Sequence, residues 1–145
     1  MEYFDFKAPE IKSRLIVENE LAFAFLSRMP IVPGHILICP KRPVSKIDDL
    51  TGSELNSVFA LQKKLKAALR KSLGAEGFNY AWNEGKAAGQ SVNHFHLHML
   101  PRKKSDSGIF EYEPREFLYR LGERHESPEK ELFEITELIR KNMKS

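Results

Sequence analysis

Gly89-Gln90-Ser91-Val92-Asn93-His94-Phe95-His96-Leu97-His98-Met99-Leu100-Pro101-Arg102 is the stretch on which the reading of this chain turns. Three of the five histidines fall within it at alternate positions, His94, His96 and His98. Side chains alternate across a strand, so one extended segment can show all three imidazoles on one face while Phe95, Leu97 and Met99 pack on the other. Imidazoles are poor filler for a core. Each carries two polar nitrogens that need partners when buried, and neighbouring protonated rings repel. A row of three therefore points to chemistry.

Two chemistries fit the row. Three imidazoles can hold a metal such as zinc with a fourth position open to water. They can also engage a phosphate directly, because a neutral imidazole is a nitrogen nucleophile near pH 7 and its neighbour can donate to phosphate oxygens. The preceding segment favours phosphate. Gly85, Ala87, Ala88 and Gly89 permit close backbone approach, so successive N–H groups could form an anion nest, with Gln90 and Ser91 as neutral donors. A zinc site needs no such loop.

Outward from the triad, the pattern is one of short strands around one long helix. Arg14–Glu18, Leu21–Leu26 and His35–Cys39 read as strands separated by Asn19-Glu20 and by Met29–Gly34, with Pro40 and Pro43 closing the third. Phe78–Trp82 and His94–Leu100 supply a fourth and a fifth. Thr51 and Glu54 have capping-box spacing. Leu55, Val58, Leu61, Leu65, Ala68 and Ser72 then form one inward helical face, which Gly74 is placed to stop. Ser127-Pro128-Glu129 predicts a last helix, capped by Ser127, with Leu132, Ile135, Leu138 and Ile139 as its apolar stripe. Residues 102 to 126 read as irregular. The expectation is one α+β domain over residues 1–145, with a five-stranded, mainly antiparallel sheet, a long central helix and a C-terminal helix.

Composition adds bounds. Hydrophobic residues make up 41% and charged residues 30%, ordinary for a globular protein. No apolar run reaches the roughly 20 residues of a membrane span, and Met1–Phe6 lacks the basic start of a signal peptide. The single cysteine, Cys39, lies in an apolar run and reads as a buried small hydrophobe, so a cytoplasmic location is expected. A net charge of +3 suits an anionic small ligand and gives no reason to invoke nucleic acid. Arg102-Lys103-Lys104 reads either as a solvated turn or as a basic flank to a phosphate site.

The quoted stretch resembles the histidine-triad (HIT) signature, His-φ-His-φ-His-φ-φ with its Gly-Gln-Ser/Thr-Val lead-in, where φ is an apolar residue. Val32–Val44 and Glu20–Phe25 are similar to the fragile-histidine-triad (Fhit) branch, so the likeness covers roughly residues 4–104. The resemblance implies a homodimeric hydrolase of dinucleoside polyphosphates, such as diadenosine tri- or tetraphosphate. In it His96 is the nucleophile and forms a nucleotidyl-histidine intermediate. His98 bonds the scissile phosphate or leaving group, and His94 orients the nucleophile. Gly89, Gln90, Ser91 and Val92 match the phosphate-cradling segment. His35 matches a histidine that supports the triad, though on its own it reads equally as a strand-start residue with a local hydrogen bond. The resemblance implies no metal in the catalytic step; a divalent cation such as Mg can accompany the polyphosphate.

Two positions depart from the branch. Asn83 stands where it has glutamine, and Asn83-Glu84-Gly85 resembles the Hint branch of nucleoside phosphoramidases. Ser27 stands where an asparagine or aspartate contacts ribose. The family dimerises through its central helix and strand edges, to which Asn79–Trp82 could contribute, although Trp82 reads better as core. Two other functions stay open: phosphoramidate hydrolysis, and a nucleotide-binding signalling module with little turnover.

Overall fold

Thr51 begins the long helix as its spacing to Glu54 predicts. Its side chain accepts from the Glu54 N–H while the Glu54 carboxylate accepts from the Thr51 N–H. The computed structural model describes residues 3–104, 106 and 126–143. Within them lie α1 (Pro9–Lys12), β1 (Leu15–Glu18), β2 (Ala22–Leu26), β3 (Ile36–Pro40), α2 (Gly52–Leu73), β4 (Gly77–Ala81), β5 (Leu97–Arg102) and α3 (Glu129–Lys141). Two single 3₁₀ turns, at Ile47–Asp49 and Lys86–Ala88, interrupt the connections.

The five strands form one sheet in the order β1-β2-β3-β5-β4, every neighbouring pair antiparallel. Its two faces pack differently. Ala22, Ala24, Leu26, Ile36, Ile38, Leu97 and Met99 meet Val58, Leu61, Leu65, Ala68 and Leu69 of α2, with Leu132 and Ile139 of α3 completing this core. Burying each of the larger side chains stabilises the fold by about 1.5–3 kcal/mol. On the opposite face Phe23, Phe25, Leu37 and Cys39 pack with Ile11 and, at the edge, with Phe4, Phe6 and Leu15. Cys39 is fully buried there, which pushes its thiol pKa well up and leaves it inert. The helix stops at Gly74, whose φ of 67 is left-handed and whose N–H returns to the Leu69 carbonyl.

Several sequence expectations need correction. The fifth strand begins at Leu97, so of the three triad histidines only His98 lies in it. The last helix has Pro128 at its cap, with no side-chain bond. Ser127 instead donates its backbone N–H to the Arg28 carbonyl, which ties the approach to α3 to the end of β2. Leu138 is exposed, and Thr136 takes the inward place beside Leu132 and Ile139. Trp82 is not core. It is 42% exposed, with its indole N–H on Glu84 and its ring against Phe95. The short helix α1 was not foreseen. The irregular reading of residues 107–125 lies outside the described residues. No described helix is long and apolar enough to cross a membrane.

Glu54 does more than cap. Arg42 donates to both of its carboxylate oxygens, at 2.9 and 2.7 Å, and to the Asp49 carbonyl at 2.7 Å. This pins the β3–α2 connection to the start of the helix. The Arg42 hydrogen bonds hold the Glu54 carboxyl at about 2, against a smaller opposing effect of burial. Because the folded value is depressed, the stabilisation is complete above the unfolded pKa of roughly 4.3 and is lost as pH falls toward 2. Glu54→Gln should therefore lower unfolding free energy at pH 7 by about 1–2 kcal/mol. In denaturant titrations the gap between variant and wild type should narrow steadily below pH 4.

Candidate active site

Pairing on both sides fixes the position of His98. It faces Leu37 of β3 and Ala81 of β4, on the sheet face away from α2. His35, one residue before β3, is fully buried on the same side. The Ile31 N–H donates to His35 Nδ1 at 3.1 Å, so that nitrogen carries the lone pair and Nε2 the hydrogen. His35 Nε2 lies 2.9 Å from His98 Nδ1 and donates to it. His98 must then carry its own hydrogen on Nε2.

The same reasoning assigns the other two rings. His96 Nδ1 sits 2.7 Å from the His94 carbonyl oxygen, which can only accept, so the hydrogen is on Nδ1 and the lone pair on Nε2. His94 receives the Phe4 N–H on Nδ1 at 3.0 Å and donates from Nε2 to the Pro40 carbonyl at 2.7 Å. The site thus pairs a bare imidazole nitrogen on His96 with an N–H donor on His98. Their ring centroids are 4.9 Å apart and the planes are nearly perpendicular. Burial pushes the His96 pKa down, opposed by its bond to the His94 carbonyl. His94 is likewise lowered by burial, with the Pro40 carbonyl acting in the opposite sense and His96 in the same one. Neutral rings at neutral pH follow.

This arrangement bears on the two chemistries read from the triad. Both His94 nitrogens are engaged by backbone groups, so in these tautomers the row presents a lone pair on His96 beside an N–H donor on His98.

Although His94 and His96 precede the strand, the alternation persists. Phe95, Leu97 and Met99 enter the core beneath α2, and the three histidines keep to the other face. What holds the segment there is the connection after β3. Pro40 O accepts from His94 Nε2, Val44 O from the Phe95 N–H at 2.6 Å, and Ser45 O from Gln90 Nε2 at 3.0 Å. Three carbonyls within six residues therefore carry residues 90–95. The Arg42–Glu54 pair ties this connection to α2.

The glycine-containing loop differs from its reading. Ala88, Gly89 and Gln90 direct their N–H groups back to Gly85 and Lys86 carbonyls, closing a turn in which Gly89 has φ 92. Gln90 is buried, and its side chain accepts from the Gly85 N–H and donates to Ser45 O. It braces the loop through these two bonds. Among the described residues no hydrogen bond engages the N–H groups of Ser91, Val92 or Asn93. The backbone N–H groups left available to a ligand therefore lie after Gln90, with Ser91 exposed and Val92 half-buried.

Asn83 lies two residues past Ala81, and continuing the β4–β5 register puts it across from His96. Ser27 is buried beside His35, receiving the Met29 N–H on its hydroxyl at 3.3 Å and giving its own N–H to the His35 carbonyl. The functional groups that sequence reasoning missed are the Phe4 and Ile31 N–H groups and the Pro40, Val44 and Ser45 carbonyls. Backbone atoms leave no signature in residue type. A separate cleft of about 570 Å³ between α1 and α3, edged by Arg14, Arg28, Arg140 and several glutamates, includes no triad residue.

A family model described as "HIT domain" matches residues 8–105. The chain belongs to the histidine-triad family. It is 33% identical to a bis(5'-adenosyl)-triphosphatase of Dictyostelium discoideum over 90% of this chain and 89% of that one. It is 31% identical to the adenosine 5'-monophosphoramidase HNT1 of Candida albicans over 87% of each. Among solved structures, the Caenorhabditis elegans NitFhit protein superposes with a TM-score of 0.72 at 27% identity. That match covers 90% of this HIT chain and 27% of the longer NitFhit chain. The likeness thus lies on the Fhit side of the family.

If Gln90 is a brace, Gln90→Leu should speed amide exchange at Gly85 by about tenfold, the equivalent of one buried hydrogen bond. The chemical shifts of the His98 ring, anchored separately through His35, should stay in place.

Proposed function

We propose that this HIT protein hydrolyses dinucleoside polyphosphates, such as diadenosine tri- or tetraphosphate, by attack on the α-phosphorus. The observation that carries the reading is the tautomer of His96, whose bond to the His94 carbonyl leaves Nε2 as a lone pair. In the first step His96 Nε2 forms a bond to phosphorus as the bridging P–O bond breaks. The His98 Nε2–H donates to the departing oxygen. In the second step water attacks the nucleotidyl-histidine, the P–N bond breaks, and a nucleoside monophosphate leaves. Splitting the displacement in two lowers each barrier.

The N–H groups of Ser91 and Val92 receive the equatorial phosphate oxygens, where donors aimed beforehand stabilise the charge that develops. Asn83 reaches the leaving polyphosphate, and Ser27 the ribose. The catalytic step uses no resident metal; a cation such as Mg enters with the polyphosphate. The similarity to the Dictyostelium triphosphatase supports this substrate class.

Asn83-Glu84-Gly85 and the similarity to the Candida monophosphoramidase favour a second reading, hydrolysis of a nucleoside phosphoramidate at the same His96. The leaving atom is then nitrogen. We further propose a cytoplasmic homodimer: among the described residues β4 is an edge strand of the sheet, and Tyr80 in it, Trp82 after it and Phe59 of α2 are exposed.

Parallel assays with diadenosine triphosphate and adenosine phosphoramidate should show the larger kcat/KM for the first; the reverse order would transfer the protein to the second class. Rapid quench with labelled substrate should trap an adduct on His96, and His96→Ala should lose turnover by at least about 10³-fold. Turnover without any adduct would sink the covalent route.

The acid limb of kcat/KM should lie below the unperturbed imidazole value of about 6.5, because burial depresses the His96 pKa. The neutral nucleophile then persists above its depressed pKa, and activity falls as pH drops through it. An acid limb above pH 7 would contradict the assignment.

A further inference from the structure

The N-terminal segment Tyr3–Phe6 crosses the face of the sheet that carries the triad. Phe4 is its point of contact. Its ring meets His96 edge-on, with centroids 5.3 Å apart and planes at 90°, and lies 5.1 Å from Phe25. Its backbone N–H donates to His94 Nδ1 at 3.0 Å across ninety residues of sequence. Phe6 packs on Phe23, and Lys41 lies over the Phe6 ring, so the segment is held at a second place. The remaining nitrogen of His94 gives its hydrogen to Pro40 O, and among the described residues the ring receives from no other donor.

From these contacts we infer that Phe4 is a positioning residue of the active site, its backbone N–H acting with the Pro40 carbonyl to clamp the His94 ring in one orientation. The chain of consequence is short. With a hydrogen arriving at Nδ1 from Phe4, His94 has a lone pair there and its own hydrogen only on Nε2. That hydrogen anchors the ring to Pro40 O and so fixes the residue. The anchored residue's carbonyl in turn takes the Nδ1 hydrogen of His96 at 2.7 Å, leaving the attacking nitrogen bare. Remove the Phe4 N–H, and the Pro40 carbonyl still selects the Nε2–H tautomer, but Nδ1 loses its donor and the ring is held at one end only. A ring held at one end can turn, and the His94 carbonyl moves with it. The aromatic ring of Phe4 is a second and separable contribution, a wall beside His96.

The kinetic part of the test rests on the hydrolase reading; the spectroscopic part does not. Long-range ¹H–¹⁵N correlation of the imidazoles in the full chain at pH 7 should show His94 as the Nε2–H tautomer and His96 as Nδ1–H. Phe4→Pro, which lacks the N–H, should keep the His94 tautomer but shift its Nδ1 resonance by several ppm, broaden the His96 Nδ1–H signal, and lower kcat on diadenosine triphosphate about 10- to 100-fold, with KM changed less. Phe4→Leu keeps the N–H and removes the ring, so it should retain the wild-type His94 Nδ1 resonance and most of kcat.

An unchanged His94 Nδ1 resonance in a folded Phe4→Pro, or equal kcat loss in both variants, overturns the inference. Should Phe4→Pro fail to fold, the wild-type spectrum decides, since an Nδ1–H His94 contradicts the assignment outright. If wild type turned over no nucleotide, the hydrolase reading would fall while the spectra still judged the strap.

Discussion

A backbone carbonyl that can only accept, placed 2.7 Å from His96 Nδ1, is the constraint on which the site rests. Imidazole has two tautomers of similar energy, and only one of them leaves Nε2 with its lone pair. Nothing in the side chain makes that choice. It is made by the His94 carbonyl, which is itself positioned because the His94 ring is clamped between Phe4 and Pro40. His98 is set the other way by His35 and Ile31. Alternating tautomers along one segment give a lone pair next to a donor, which is what displacement at phosphorus requires.

Seen from the fold, the sheet supplies only His98. His94 and His96 lie in a non-strand approach to β5, carried by carbonyls from the connection after β3. That connection is held by a buried carboxylate, Glu54, that also caps α2. The core under α2 and the site on the opposite face are therefore linked through one ion pair and one capping box. The site is displayed on a rigid layer, but its working residues hang from a loop.

The triad, the helix from Thr51 to Gly74 and the five strands were legible because each leaves a periodic or capping pattern in residue type. His35 was legible as a candidate by its resemblance, and its contact with His98 gives it a physical place beside the triad. Other parts were not legible for definite reasons. Gln90 reads as a polar donor facing a ligand; only the fold reveals that Gly85 and Ser45 engage both ends of its amide. Trp82 reads as core because large aromatics are mostly buried, yet it follows the strand that, among the described residues, ends the sheet. Ser127 reads as a helix cap, but Arg28 competes for that segment's backbone. Strand onset at Leu97 was missed because alternation continues through residues that make no ladder bonds.

The imidazole row also has two ends, and each stops at the main chain. One ends at the Ile31 amide beyond His35, the other at the Phe4 amide and the Pro40 carbonyl around His94. An amide hydrogen does not exchange on the timescale of a catalytic cycle, and a peptide carbonyl does not take up a proton at neutral pH. The row is therefore no conduit. In the proposed hydrolysis, a proton lent to the leaving oxygen by His98 does not return along the His35–Ile31 bonds and comes back from the open side, with the water that completes the cycle. On that reading the four histidines form a fixed template, and the traffic of protons is confined to the side on which the nucleotide would sit.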